Sequence, residues 1–270
     1  MSHYRPYLSF FRIRFGNSLQ YRAAAYAGIA TQLVWGFMEL MLFAAFYRSD
    51  PSALPMSFPE LASYIWLQQA LLALFMIWFL ESDIFSSIEN GGIAYELSRP
   101  MDLYNMWFVK NMAGRLAKMT LRSLPILLIA VFLPAPYRFG APASAASFGL
   151  FLLSAALGFL VVIAFCMLIY ITAFFTLSSL GVRIVAVSLV EFFSGSVVPL
   201  PFLPDGGRRI VELLPFASMQ NTPLRLYSGH IAGWEQLMAI GLQAFWLILL
   251  LMLGKWLMQR ALGRVVVQGG

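Results

Sequence analysis

Long apolar stretches separated by short polar or proline-rich segments dominate the pattern of hydrophobic and polar positions along this chain. A helix needs about 20 mostly apolar residues to cross the hydrocarbon core of a bilayer. Six stretches reach or approach that length, at 23–47, 61–80, 113–133, 147–177, 184–198 and 236–254. The pattern predicts an all-α integral membrane fold with six transmembrane helices, in a single domain that covers residues 1–270.

Composition supports a lipid environment for these stretches. The chain is 60% hydrophobic and only 11% charged, whereas soluble domains carry about 25% charged residues. A soluble fold of this length would lack the polar side chains to cover its surface. The net charge of +6 indicates contact with lipid headgroups rather than nucleic acid, because the basic residues border the apolar stretches.

The basic residues also predict the orientation, since cytoplasmic loops of membrane proteins are enriched in Lys and Arg. A cytoplasmic N-terminus places most of the 18 basic residues inside, and they are Arg5, Arg12, Arg14, Arg22, Arg99, Lys110, Arg115, Lys118, Arg122, Arg183, Lys255, Arg260 and Arg264. The outside then holds only Arg48, Arg138, Arg208, Arg209 and Arg225. We therefore predict a multi-pass protein with both termini in the cytoplasm.

Residues 1–22 have an amphipathic pattern of their own. One predicted face, at helical spacing, carries Tyr4, Leu8, Phe11, Phe15 and Leu19. This pattern predicts a helix that lies in the inner membrane interface, and the alternative is a plain cytosolic tail. The segment lacks the apolar core of a signal peptide, so the first apolar stretch is expected to be a retained helix.

The predicted cytoplasmic loop 83–102 contains a candidate docking element. Gly91 and Gly92 permit a sharp break after the second stretch, and residues 93–98 can then form one or two helical turns. Pro100 disfavours helical geometry at Arg99 and so ends these helical turns. Apolar residues flanked by charges suit docking into a groove on a partner, and the alternative is a solvated loop with a lipid-facing tyrosine.

The predicted outer segment 199–235 is apolar but cannot be one continuous helix. Pro199, Pro201 and Pro204 each lack an amide donor and clash with a preceding helical turn. Apolar non-helical backbone at membrane depth requires cover from protein or a cavity. We therefore predict short re-entrant half-helices over the outer end of the bundle, which could act as a gate or as a packing plug.

Two acidic residues fall within the predicted spans. Glu39 lies in the first and Glu191 in the fifth, and a carboxylate at a helix centre costs about 2.5–3.5 kcal/mol on insertion scales. Both are expected to face a cavity, a partner helix or one another. Glu39, Glu191 and Gln32 are candidates for a translocation pathway. Gln32, Gln68 and Gln69 are the weaker candidates, because such residues are more typical of interhelical hydrogen bonds.

Several chemical motifs are absent from the sequence. No G-x-x-x-x-G-K-[ST] loop is present to bind ATP, and no G-x-S-x-G or H-E-x-x-H motif indicates a hydrolase. His3 and His230 have no Cys or carboxylate at metal-ligand spacing, and the lone Cys166 cannot form an internal disulfide. We expect no enzyme activity, metal or cofactor site in this chain.

Taken in order along the chain, these features resemble the membrane subunit of an ABC transporter of the type-2 export class, in a branch of bacterial permeases. The most specific residues are Gly92-Ile-Ala-Tyr-Glu-Leu-Ser-Arg-Pro100 and, further along, Val198-Pro199-Leu-Pro201, Leu214-Pro215-Phe216, Thr222-Pro223 and Gly229. Permeases of this class diverge widely, so the resemblance indicates the class and not the substrate.

The resemblance implies roles for particular residues. One such role is that of a coupling helix, which belongs to the permease and docks on the ATPase subunit. It would comprise Glu89, Asn90, Gly91, Gly92, Ile93, Tyr95, Glu96, Leu97, Arg99 and Pro100. An outer gate would include Pro199, Pro201, Pro204, Pro215, Phe216 and Pro223. The implied partners are ABC ATPase subunits, which hold ATP and Mg²⁺, and a second permease subunit that is identical or merely similar.

The implied function is export of a hydrophobic or amphipathic compound, such as a drug, toxin or antimicrobial peptide, across the bacterial inner membrane. One alternative is a secondary transporter or channel that needs no ATP, although such proteins usually show internal repeats or more intramembrane charge. Another alternative is a membrane scaffold or assembly factor. Co-purification of an ATP-binding subunit would distinguish these interpretations.

Overall fold

The computed structural model describes residues 4–50, 55–176 and 179–264. His3 and the ends of the predicted segments 1–22 and 147–177 lie outside the described residues. The regular elements of the described part are helical, and in chain order they are α1 (Arg5–Leu19), α2 (Arg22–Ser49), α3 (Phe58–Ala70), α4 (Leu72–Phe75), α5 (Ser82–Glu89), α6 (Ile93–Leu97), α7 (Leu103–Val131), α8 (Ala145–Thr172), α9 (Ser179–Phe193), a 3-10 turn (Leu200–Phe202), α10 (Asp205–Leu213), α11 (Pro215–Met219), α12 (Asn221–Ser228) and α13 (Trp234–Leu262).

Three of the described helices are long and apolar enough to cross a membrane. They are α2, α8 and α13, with mean hydropathies of 1.6, 2.8 and 2.3 over their most apolar windows. Helix α7 is also long, with 29 residues, but it carries the basic residues Lys110, Arg115, Lys118 and Arg122. The prediction of an all-helical membrane fold is confirmed, and the first, third, fourth and sixth predicted spans correspond to single helices.

The second predicted span is not one helix, so that expectation was wrong. Helix α3 ends at Ala70, the single turn α4 ends at Phe75, and the backbone of Met76 is extended, with φ −80° and ψ 129°. A continuous helix over 61–80 would have bonded the carbonyls of this region to amides further along the chain. Instead, a buried side chain of α7 donates hydrogen bonds to those carbonyls.

That side chain is Arg115, which has no solvent-exposed surface. Its Nη1 atom donates to the carbonyls of Ala73, Leu74 and Met76 at 3.2, 3.4 and 2.7 Å. Its Nη2 atom donates to the carbonyl of Phe79 at 3.4 Å. The guanidinium thus satisfies the carbonyls at the end of α4, where a helix terminus otherwise leaves them unpaired.

The fifth predicted span also differs from expectation. Helix α9 covers Ser179–Phe193, only 15 residues and about 22 Å long, so it begins and ends earlier than the predicted 184–198. Gly195 has a φ of +80°, a left-handed conformation that ends the helix and favours glycine. The Ser196 hydroxyl then donates to the carbonyl of Glu191 at 2.8 Å, which satisfies one free carbonyl of the last turn.

The bundle has two ends, and each is formed by a different set of short helices and loops. One end, here called the basic end, holds α1, α5, α6 and the last turn of α13. Its contacts include a bond from the Glu81 amide to the Tyr170 hydroxyl at 2.8 Å. It also places the Arg264 guanidinium 5.3 Å from the ring centre of Phe175.

The opposite end, here called the proline-rich end, holds residues 55–58, 132–144 and 199–233. The Trp66 indole donates to the Tyr137 carbonyl at 2.8 Å, and the Ala143 amide donates to the Tyr227 carbonyl at 3.2 Å. These bonds join the loop between α7 and α8 to both α3 and α12. The two ends are therefore built from different loops of the chain.

Helix α1 lies within the predicted segment 1–22, but the face that packs differs from the predicted amphipathic face. It lies along α7, and Phe10 contacts the core at the basic end. Of the predicted face, Phe11, Phe15 and Leu19 are half-buried, whereas Tyr4 and Leu8 are 81% and 52% exposed. The packed face is therefore rotated relative to the predicted one, because α7 and not only a membrane surface contacts it.

A close backbone approach fixes α11 against α8. A Cβ atom at Gly158 would lie 2.3 Å from the carbonyl oxygen of Met219, so only glycine allows this contact. Gln243 of α13 strengthens the junction, since its Nε2 donates to the carbonyls of Ser154 and Ser218 at 3.1 and 2.8 Å. Helix α11 is thus held between α8 and α13.

Candidate functional site

The loop between α4 and α7 forms a rigid helical hairpin at the basic end. Helix α6 forms the predicted turns, and Gly91 has a φ of +74°, which explains the sharp break between α5 and α6. Asp83 of α5 forms an ion pair with Lys110 of α7. Glu89 accepts a hydrogen bond from the Ser179 hydroxyl at 2.8 Å, so α5 is attached to both α7 and α9.

The residues of α6 divide into those that seat the helix and those that face outward. Ile93 is buried, and the Glu96 carboxylate accepts a bond from the Trp107 indole at 2.5 Å. The Arg99 guanidinium lies 3.9 Å from the sulfur of Met106.

Two of the predicted coupling residues, Tyr95 and Leu97, expose apolar surface, at 81% and 39%. Asn90, Gly91, Arg99 and Pro100 are also exposed. Helix α6 is therefore a fixed turn that presents an aromatic and an aliphatic side chain.

A polar cluster surrounds Glu39 between α2 and α3. The amides of Gln69 and Gln68 donate to the two oxygens of the Glu39 carboxylate at 3.2 and 3.4 Å. Gln68 also donates to the carbonyl of Ser196 at 2.9 Å, just beyond α9. The Gln32 amide donates to the carbonyl of Gln69 at 3.0 Å. The prediction that Gln68 and Gln69 form interhelical bonds is confirmed, and Glu39 is their acceptor.

The second acidic candidate stands apart from this cluster. Glu191 is half-buried on α9, and its carboxylate has no hydrogen-bond or ion-pair partner among residues 4–50, 55–176 and 179–264. The structure therefore does not pair it with Glu39. The link between the two elements is the backbone at Ser196, which bonds to Gln68.

The predicted gate residues lie in a chain of short helices at the proline-rich end. Pro199, Pro201, Pro215 and Pro223 are buried, and Pro204 is exposed. The half-buried Phe216 packs edge-on to Phe165 of α8 and stacks with Phe193 of α9, with ring centres 5.5 and 6.1 Å apart. The prolines separate α9, α10 and α11, as the sequence predicted. The segment therefore packs against the middle of α8, at Gly158 and Phe165, and against the last residue of α9, Phe193.

A cavity of about 800 Å³ opens among α10, α12 and the start of α13. We call it the arginine cavity, after its three arginines. Its lining combines charged and polar side chains with apolar ones, and the residues are Arg208, Arg209, Glu212, Leu213, Ala217, Asn221, Thr222, Arg225, His230, Ile231, Trp234, Glu235, Met238, Ala239 and Leu242. Arg225 pairs with Glu212 at 2.5 Å. Burial, and then the positive charge of Arg225, lower the pKa of His230, so its imidazole is neutral at pH 7.

No pattern in the sequence predicted this cavity. The available signal was the placement of three arginines, Arg208, Arg209 and Arg225, within one otherwise apolar segment. Sequence alone could not show that α10 and α12 bring them to a common surface. Elsewhere, Cys166 is buried beside the Arg115 guanidinium at 3.3 Å, and no group of three metal-binding side chains occurs among the described residues.

Comparison with known proteins adds the family. A model of the family described as ABC-2 family transporter protein matches residues 33–269, which is nearly the whole chain and includes the α5–α6 hairpin and the proline-rich end. No curated protein and no solved structure matches the chain significantly. Members of the ABC-2 family are non-catalytic membrane components that associate with ABC ATPase subunits. The chain belongs to the ABC-2 transporter family and is a multi-pass permease component of an ABC transporter.

Proposed function

We propose that this permease forms the translocation pathway of an ATP-driven exporter, in which a separate subunit binds ATP and Mg²⁺ and hydrolyses the ATP. The observation that carries the proposal is the construction of α6. Its buried Ile93 and bonded Glu96 fix the helix to the bundle, while Tyr95 and Leu97 project from the basic end. An exposed aromatic anchor on a rigid support is typical of a binding hot spot.

The proposed topology has six crossings, formed by α2, α3–α4, α7, α8, α9 and α13. It places the basic end and both termini in the cytoplasm of a bacterial inner membrane. The excess of Lys and Arg on that side supports this orientation. The short crossings α3–α4 and α9 would then be covered by neighbouring helices, as partly non-helical backbone at membrane depth requires.

The bonds around the hairpin suggest how the ATPase would drive the bundle. A push on α6 reaches α7 through Glu96 and Trp107. It reaches α9 through the Glu89–Ser179 bond on α5. Helix α9 leads to Ser196, which is bonded to Gln68 in the Glu39 cluster. Closure of the ATPase would shift the bundle only if ATP binding favours one of two arrangements of these elements.

A second permease subunit, identical or similar, would complete the pathway. The outward face of α2 supports a further contact, because Trp35, Met38 and Leu42 are each more than half exposed. Membrane lipids would cover what the second subunit leaves open. The proposed cargo is a hydrophobic or amphipathic compound.

Truncating the outward face of α6 should separate the permease from its ATPase. We expect Tyr95→Ala combined with Leu97→Ala to reduce the amount of ATP-binding subunit that co-purifies by at least about tenfold, because one hot-spot residue commonly contributes 2 kcal/mol or more and 1.4 kcal/mol is already a factor of ten. The measurement is a pull-down from detergent-solubilised membranes. Unchanged recovery of the ATPase would remove the proposed coupling role of α6.

Two control variants sharpen that experiment. Phe132→Ala removes a residue that is 84% exposed but lies at the proline-rich end, and it should not affect recovery of the ATPase. Glu96→Gln keeps an oxygen that can accept the Trp107 indole bond, so it should retain association, whereas Glu96→Ala releases α6 and should weaken it. Equal losses with Glu96→Gln and Glu96→Ala would indicate that the charge itself contacts the partner.

The Glu39 cluster supports a separate prediction about transport. We expect Glu39→Gln to lower ATP-dependent export several-fold without changing assembly, because the variant removes the negative charge but keeps one oxygen for Gln68 or Gln69. Glu191→Gln is the comparison, since that carboxylate accepts no bond within the described structure. Wild-type export by Glu39→Gln, with normal ATPase recovery, would exclude Glu39 from the pathway.

A further inference from the structure

The arginine cavity has the size of a ligand site and an incomplete set of internal bonds. Its volume of about 800 Å³ falls within the range of roughly 300–1,000 Å³ that is usual for small-molecule sites. Asn221 is only 1% exposed, yet its Oδ1 atom accepts no hydrogen bond. The Nε atom of Arg225 is likewise buried without an acceptor. Buried polar atoms in folded proteins are rarely left unpaired.

The charges at the cavity are also only partly matched. Arg225 is paired with Glu212, and Arg208 with Asp205 at 2.7 Å. Arg209 and Glu235, both exposed on the cavity wall, have no ion-pair partner in the described part of the chain. The cavity wall therefore offers a free cation and a free anion, and two of its lining residues, Arg225 and Asn221, hold a buried donor and a buried acceptor without partners. A ligand that carries both a negative group and an N–H or O–H donor would match all four.

An apolar surface continues from the cavity along α13. Trp234 and Met238 line the cavity, and Phe245 and Met252 follow on the same face, because residues four or seven positions apart, about one or two turns, share one side of a helix. These four side chains are 54–71% exposed. The surface is long enough for a hydrocarbon chain, and it begins at the point where the polar cavity ends.

We propose that the arginine cavity binds the headgroup of an amphiphile that carries a phosphate or carboxylate and an N–H or O–H donor, with its tail along α13. The guanidiniums of Arg209 and Arg225 bind the anionic group through charge-assisted hydrogen bonds. Asn221 Oδ1 and the Glu235 carboxylate accept from the donor. The inference that this amphiphile is the transported cargo rests on the proposed export function. The inference that it binds in the arginine cavity does not.

The binding test compares two phospholipids that differ in the donor. Phosphatidylethanolamine has an ammonium N–H, whereas phosphatidylcholine has none. Fluorescent short-chain versions of each are titrated into the full-length protein in detergent. We expect tighter binding of the ethanolamine lipid by about tenfold, and a loss of about tenfold in Arg209→Gln and in Asn221→Leu.

The controls make every outcome decisive. Arg138→Gln removes an exposed arginine at the same end but outside the cavity and should bind as wild type does. If Asn221→Leu does not fold, the surface variant Arg209→Gln still gives the answer. Equal affinity for the two lipids, or wild-type affinity in Arg209→Gln, overturns the proposal.

A second measurement distinguishes a cargo lipid from a resident one. The complex with its ATPase is reconstituted into vesicles that contain the ethanolamine lipid, and accessibility of that lipid to a membrane-impermeant quencher is followed on adding ATP. ATP-dependent movement that Arg209→Gln abolishes identifies cargo. Binding without movement identifies a resident lipid at the same site. Failure of binding with an intact ATPase complex overturns this inference and leaves the proposed coupling function standing.

Discussion

The variant Gly158→Ala should destabilise the protein by about 1–3 kcal/mol or more, the range for overpacked cores. The added Cβ atom would lie 2.3 Å from the carbonyl oxygen of Met219 and 3.0 Å from that of Ser218. Both contacts are with backbone, which cannot rotate away as a side chain can. Helix α11 would have to move off α8, which would also strain the Gln243 bond to Ser218. The measurement is thermal unfolding of the purified protein in detergent.

The matched control lies in the same helix. Gly149 has no atom within 4 Å of the position that a Cβ would take, so Gly149→Ala should be neutral or stabilise the helix by up to about 1 kcal/mol. The two variants make the same chemical change, and the difference between them isolates the contact with α11. Equal melting temperatures for the two variants would show that α11 does not pack on α8 as described.

Replacing Arg115 with methionine should cost about 3 kcal/mol of stability. Methionine has a similar length but no donors, so the carbonyls of Ala73, Met76 and Phe79 would lose their partner in a buried site. Each buried group left unpaired costs about 1–3 kcal/mol, and the gain from no longer burying a charge offsets part of that sum. We expect a lower melting temperature and faster proteolysis within residues 76–81.

Arg122→Met serves as the comparison for that variant. Among the described residues, the Arg122 guanidinium donates a hydrogen bond only to the carbonyl of Ala24 at 3.3 Å. It lies 5.8 Å from the ring centre of Phe79, at a more exposed position than Arg115. The expected change is below about 1 kcal/mol. If Arg115→Met were as stable as Arg122→Met, the helix break at Met76 would not depend on the buried guanidinium.

Local pattern was enough to predict much of the fold. Length and hydropathy determine α2, α8 and α13, because a long apolar helix needs no information from the rest of the chain. Paired glycines and prolines placed the turns around α6 and the breaks near Pro199, since backbone restrictions act within a few residues. The all-helical class followed from the same local rules.

The failures arose where a distant residue determines local structure. The sequence from Leu61 to Leu80 predicts one helix, and only the approach of Arg115, more than 30 positions away, explains why it breaks. The position of Arg115 was visible as a charge near the third span, but its burial was not. The rotated face of α1 has the same origin, because α7 selects which side chains pack.

The candidate sites divide in the same way. Glu39, Gln32, Gln68 and Gln69 were individually visible as polar residues in apolar stretches, and the structure joins them into one cluster. The arginine cavity depends on how α10, α12 and α13 are arranged in space, and no sequence spacing encodes that arrangement. Glu96 was predicted to face a partner, but it is bonded to Trp107, which leaves Tyr95 and Leu97 as the outward contacts.

Site-directed cross-linking tests the central claim, that α6 contacts the ATPase, most directly. The chain has one cysteine, Cys166, which is fully buried, so a cysteine introduced at Tyr95 is the selective target of a photo-activated maleimide cross-linker in intact membranes. We predict a cross-linked product with the ATP-binding subunit from Tyr95→Cys and none from Phe132→Cys. No ATPase adduct from Tyr95→Cys, despite efficient labelling, would contradict the account.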